Sequence, residues 1–177
     1  MNIVQAKRKS KLKNFENILY KNKPILIFLI KFFAIFFTLE IVITQIDLSF
    51  LTNFIAMLVA TFFNLPYQNN TIFLNDVSFI VTNSCTGLVS LAILIAITLP
   101  LKQMELKKRG LVVLLGALFL LTLNIPRIGL VIYSGLIGFN AGFVHEITWF
   151  LMSGIILIIW FFGVKLIQKE NDFSKLI

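Results

Sequence analysis

A chain of 177 residues that is 58% hydrophobic, with a formal net charge of +8, is not a water-soluble globular domain; that apolar share describes one membrane-embedded domain. The basic balance invites a nucleic-acid reading, but nearly all the charges flank apolar blocks of about 17–23 residues, the length that crosses a bilayer as a helix. The charges therefore act as topology signals and contacts to anionic lipid, and nucleic acid is excluded as a partner.

Residues 1–23 form a basic cytoplasmic arm carrying Lys7, Arg8, Lys9, Lys11, Lys13, Lys21 and Lys23. The apolar run that follows is too long for a cleaved signal peptide, and no small-x-small cleavage site follows it. Pro24 is expected to start the first span, Ile25–Ile46. Lys31 can snorkel to the inner face, whereas Glu40 sits deeper, where a carboxylate faces the bundle interior. Leu48–Leu65 is a second apolar block with a polar and small stripe at Ser49, Asn53, Ala56, Ala60 and Asn64. It lies in the interface, dips in and out of it, or spans with its stripe packed on neighbours; Pro66 ends it. Thr71–Leu74, the turn Asn75-Asp76 and Val77–Val81 read as a hairpin.

Cys85–Leu101 is the next span, stopped by Pro100 and the basic run Lys102, Lys107, Lys108 and Arg109. Gly110–Ile125 goes back across and ends at Asn124-Ile125-Pro126-Arg127. The glycine-rich stretch Gly129–Phe143 partly extends that span, the rest being a turn. Glu146–Ile167 is the last span, and 169–177 a cytoplasmic tail. The expected architecture is an all-α polytopic membrane bundle in 24–168: about four spanning helices, one outer-face interfacial or re-entrant helix, and a short hairpin. The positive-inside rule puts the arm, the Lys102–Arg109 loop and the tail in the cytoplasm. An even number of crossings between arm and loop then leaves Leu48–Leu65 on the outer face.

Cys85 is the only cysteine and His145 the only histidine. Asn83 and Ser84 are N-cap types, which places Cys85 in the first turn of a helix, where the dipole favours thiolate. Gly87 leaves room for a close approach. Cys85 is 17 positions from Lys102, and Arg127 is 18 from Arg109, so both lie roughly 26 Å from the inner boundary. His145, 20 positions from Lys165, lies roughly 30 Å from it. Taken singly, these are a packed thiol, an arginine reaching for lipid phosphate and an interface histidine. Their shared level makes them candidates for nucleophile (Cys85), oxyanion or carboxylate holder (Arg127) and acid–base group (His145). Asn83, Thr86, Gly87, Asn124 and Glu146 are supporting candidates, with Asp76 and Glu40 weaker ones. One Cys and one His are too few ligands for a metal, and no cofactor is expected.

Cys85-Thr86-Gly87 at a span's outer end, Asn124-Ile125-Pro126-Arg127 at the end of the next, and His145 before the last resemble the exosortase/archaeosortase family over Phe50–Phe162. That resemblance implies a minimal core without the extra N-terminal spans of many members. It implies a prokaryotic, multi-pass cytoplasmic-membrane cysteine transpeptidase with its N-terminus in the cytoplasm and its site outside. Cys85, Arg127 and His145 would be catalytic. The substrate would be an exported protein's C-terminal sorting signal (a short motif, a transmembrane helix and a basic cluster), and the acceptor an amine such as that of a membrane lipid. Two other classes stay open: a small transporter or channel using Arg127, Glu40 and His145, and a non-enzymatic assembly scaffold.

Overall fold

The computed structural model describes residues 22–74 and 77–168. Most of the basic arm, the turn residues Asn75 and Asp76, and the tail 169–177 lie outside the described residues. Five helices, a three-stranded sheet and a 3₁₀ turn follow in the order α1 (Lys23–Gln45), α2 (Ser49–Phe63), β1 (Tyr67–Gln68), β2 (Thr71–Leu74), β3 (Val77–Ile80), the turn Asn83–Thr86, α3 (Leu88–Thr98), α4 (Leu106–Leu136) and α5 (Ala141–Gln168). The chain is a helical membrane bundle in which α1, α4 and α5 are long and apolar enough to cross a bilayer.

Pro24 falls in the first turn of α1, where its missing N–H costs nothing. No residue of α1 is buried; it lies along the outside of the bundle against α3. Asp47 accepts hydrogen bonds from the Ser49 hydroxyl and the Ser49 backbone N–H at the start of α2. The hydroxyl first, then the N–H, hold its carboxyl below the usual range. α2 buries Thr52, Ile55, Ala56, Val59 and Ala60. The expected stripe is therefore corrected: Ala56 and Ala60 face inward, but Ser49 and Asn64 are exposed, because β-branched neighbours complete the packed face. Asn64 instead ends the helix. It takes the left-handed conformation at φ 54°, and the Leu65 N–H returns to the Ala60 carbonyl at 2.9 Å, a C-terminal cap that asparagine tolerates.

The hairpin forms as expected from β2 and β3, with Leu74 opposite Val77 and Thr71 opposite Ile80. β1 adds a third antiparallel strand against β2, too short to read as a period-2 pattern. Ile72 and Val81 carry the sheet onto α2 and α4, in a core that also holds Ile55, Val59, Cys85, Ile128 and Ile132.

The expected continuous span Cys85–Leu101 is broken. Gly87 has φ +85°, outside the right-handed helix, so the 3₁₀ turn before it and the 11-residue α3 after it are separate elements. α3 is only about 17 Å long. The whole segment still runs the length of the bundle: Asn83 Nδ2 donates to the Ile43 carbonyl near the end of α1, while Leu101 belongs to a core on which Phe28, near its start, packs. α4 corrects the second boundary. It begins at Leu106, four residues before the expected Gly110, and runs through Pro126 to Leu136, the extension past Arg127 expected of the glycine-rich stretch, 31 residues in all and about 46 Å. One proline removes one backbone donor, a loss that packed membrane helices absorb. α5 starts five residues earlier than expected, which puts His145 and Glu146 inside its N-terminal turns. At mid-depth a Cβ on Gly116 of α4 would fall on the Leu94 side chain of α3 and lie 3.2 Å from Ile159 of α5, so the three helices meet closely there.

Candidate active site

Cys85 sits in the 3₁₀ turn, its N–H donating to the Thr82 carbonyl at 2.9 Å. The turn is closed by Thr86, whose Oγ1 donates to the Asn83 carbonyl at 2.6 Å and accepts the Leu88 N–H at 3.4 Å. This corrects the expected capping: neither Asn83 nor Ser84 caps a helix, and the thiol precedes α3 rather than lying in its first turn. The sulfur lies 3.6 Å from Thr82 Oγ1, a neighbour the sequence reading missed; a polar residue one 3₁₀ repeat before the cysteine was the only available signal. Cys85 is 4% exposed and packs among apolar side chains, the surroundings of an ordinary buried thiol. Its chain neighbours Thr82 and Ser84 are exposed, so the sulfur lies just beneath the surface.

What sets this thiol apart arrives from α4. Asn124, 1% exposed, donates from Nδ2 to the Cys85 carbonyl and accepts from Arg127 Nη1 at Oδ1, at 3.0 Å. The pair is spaced i, i+3, so both side chains leave one face of the helix. Gly87 makes the approach possible: a Cβ there would meet Asn124 Cβ at 3.2 Å and Cγ at 3.3 Å. The close approach expected at Gly87 is thus made by a carboxamide. Arg127 is 7% exposed, and its buried Nε has no hydrogen-bond partner among the described residues. No carboxylate pairs with it among the described residues. Arg127 lies in electrostatic range of both Cys85 and His145.

His145 is half-buried and borders a shallow groove of ≈ 290 Å³ with Glu146, Trp149 and Phe150. It is in electrostatic range of Glu146 as well as Arg127, but no hydrogen bond joins its imidazole to Cys85. The structure thus joins Cys85, Asn124 and Arg127 directly, with Asn83, Thr86 and Gly87 shaping the turn. It brings His145 and Glu146 alongside. Glu40 stays apart on α1, without a hydrogen-bond or ion-pair partner among the described residues, and Asp76 lies outside them.

Long apolar helices, a small sheet over one end and, beneath it, a carboxamide bonded to both the Cys85 backbone carbonyl and the Arg127 guanidinium define a polytopic membrane protein with a polar site at an end of its bundle. The family model of the transmembrane exosortases matches residues 22–162, which include α1 and every residue of that site. The chain belongs to this family. Comparisons with curated proteins and with solved structures found no match.

Proposed function

We propose that this exosortase is a cysteine peptidase and transpeptidase of the cytoplasmic membrane. It cleaves the C-terminal sorting signal of an exported protein near the outer surface and passes the new carboxyl end to an amine, such as a lipid headgroup. The observation that carries the reading is the buried Arg127, with one donor fixed on Asn124 and another, Nε, unpartnered. A buried guanidinium with an unpaired donor and no counter-charge is costly, and that cost is offset when a substrate brings an oxyanion or carboxylate to it.

The Cys85 sulfur, its proton passed to His145 directly or through one water, attacks the scissile carbonyl carbon and forms a C–S bond. The displaced electron pair rests on the carbonyl oxygen, which Arg127 holds. Collapse breaks the C–N bond, and His145 returns the proton to the departing amine. An acceptor amine then attacks the thioester and gives its proton to His145; the C–S bond breaks, and His145 returns that proton to the departing thiolate. Asn124 is the positioning residue, binding the cysteine turn at one end and the arginine at the other.

The bundle has a basic end, with Lys102, Lys107, Lys108, Arg109 and Lys165, and the site is at the other. The positive-inside rule puts the basic end in the cytoplasm and the thiol outside. The test is substitution of Cys85. Cys85→Ala is expected to abolish processing of a sorted protein while the chain still accumulates in the membrane, and Cys85→Ser to be severely impaired. Normal processing by the alanine variant would remove the enzyme and favour a transporter or scaffold.

A further inference from the structure

The outer sheet has two edge strands, the two-residue β1 and the longer β3, and β3 is the one that runs on into the cysteine turn. Strand order is β1-β2-β3, so β3 is paired on one side only. The register decides which of its backbone groups are free. The Val81 N–H donates to the Asn70 carbonyl at 2.8 Å. Two residues along, Ile72 lies opposite Phe79, and two further, Leu74 opposite Val77. In an antiparallel ladder bonded pairs alternate with unbonded ones, so Val77, Phe79 and Val81 turn their N–H and C=O to β2. Ser78 and Ile80 turn theirs outward. The Phe73 N–H, in the intervening pair on β2, bonds the Pro66 carbonyl on the far side at 2.9 Å, as the same alternation requires.

Such an edge cannot face hydrocarbon, where nothing satisfies it. Nor is it protected by the usual devices: the described residues of β3 carry no charge, proline or bulge, and Val77 and Ile80 are 69% and 56% exposed. Beside it a cavity of ≈ 580 Å³ opens between Leu74, Val77 and Phe79 and the α4–α5 turn, where Gly138, Ala141 and Gly142 leave space. Past Ile80 the strand leads through Val81 and Thr82 straight into the turn that holds Cys85.

The geometry points to β3 as the docking edge for the substrate, whose extended segment beside the scissile bond adds a fourth strand to the sheet. The occupant is defined by the unpaired groups: they bond another extended backbone, with little regard for its side chains. The cavity would take alternate side chains of that segment, and the strand's continuation carries the paired chain toward the sulfur. This inference rests on the peptidase reading for its substrate but not for its geometry.

The experiment places a photo-reactive benzoylphenylalanine at Ser78 in the full-length Cys85→Ala chain in membranes. The probe is the C-terminal segment of an exported protein of the same cell that ends in a short motif, an apolar helix and a basic tail. Light should join Ser78 to the residues just before the probe's helix, and the same group at Tyr67, on the opposite edge, should give no adduct. With an active Cys85, Ser78→Pro removes one outward donor and leaves the bonds to β2. It should raise KM for the probe roughly three- to tenfold, the loss of one backbone hydrogen bond, with kcat and the alkylation rate of Cys85 unchanged and Ser78→Thr behaving as the parent. A probe captured equally from Tyr67, an adduct only with a second copy of the chain, or an unchanged KM in Ser78→Pro would overturn the proposal. Because the cross-link forms without the thiol, its failure is separable from failure of the nucleophile assignment.

Discussion

Two arginines on one helix set the two ends of the bundle apart. Arg109, in the first turn of α4, donates from Nε to the Met104 carbonyl and from Nη1 to the Leu99 carbonyl, both at 2.8 Å. It closes the loop after α3, and Gln168 adds a bond to the Gln103 carbonyl from the far end of α5. Both of Arg109's own bonds are to backbone carbonyls of the loop just before its helix, and Arg109 is only half-buried. Arg127, 18 residues further along, is buried, has one carboxamide as its partner and leaves Nε unsatisfied. A guanidinium whose donors are spent on its own loop is structural. One held in place with a donor to spare is the feature on which the proposed substrate role rests.

The largest effect that would sharpen this contrast concerns His145, beside the unsatisfied arginine. His145→Gln keeps a hydrogen-bonding side chain but cannot carry a proton, and processing should fall by about 10²–10⁴-fold; activity near that of the parent would remove the acid–base role. Next, one conservative change at the two arginines should give opposite results. Arg127→Lys keeps the charge and loses the planar fork, so processing should fall on the order of 10²-fold with the protein level unchanged. Arg109→Lys should leave turnover intact and cost about 1–2 kcal/mol in thermal or detergent stability, because bonds from a charged group to two carbonyls are lost. Lysine working well at Arg127 would reduce it to a phosphate anchor, where a point charge suffices. The smallest effect is on activity, which should not change when Asn70, Asn140 or Gln103 is replaced by cysteine in the chain that keeps Cys85; for labelling, the same cysteines are placed in a Cys85→Ala background. An impermeant thiol reagent added outside should modify the first two positions and not the third, and modification of Gln103 would invert the two ends.

The polar residues were legible in the sequence because membrane chains tolerate so few of them. Cys85, Arg127 and His145 could be ranked by depth from the basic loops, and Asn124 followed from its spacing to Arg127. The local geometry around them was not legible. Asn83 and Ser84 have capping chemistry, but Gly87 can take a left-handed conformation that only the tertiary approach of Asn124 selects. Pro126 carries a helix-stop signal, overridden where packed neighbours compensate for one lost bond. Apolar runs mark helices without marking their ends, so α4 began at Leu106, ahead of Gly110, and α5 began ahead of His145. β1 is two residues long, below any pattern that alternation can reveal. Thr82, beside the sulfur, carried no signal stronger than its position.

The most direct test of the assignment is the covalent state of Cys85 during turnover. The purified chain, incubated with a sorting-signal segment and quenched in acid, would be digested and weighed by mass spectrometry. The peptide containing Cys85 should carry the acyl portion of the substrate as a hydroxylamine-sensitive thioester. The adduct should be absent from Cys85→Ala and should disappear when an amine acceptor is supplied. Processing that proceeds at the parental rate with Cys85 unmodified throughout, or that survives its replacement by alanine, would contradict the assignment.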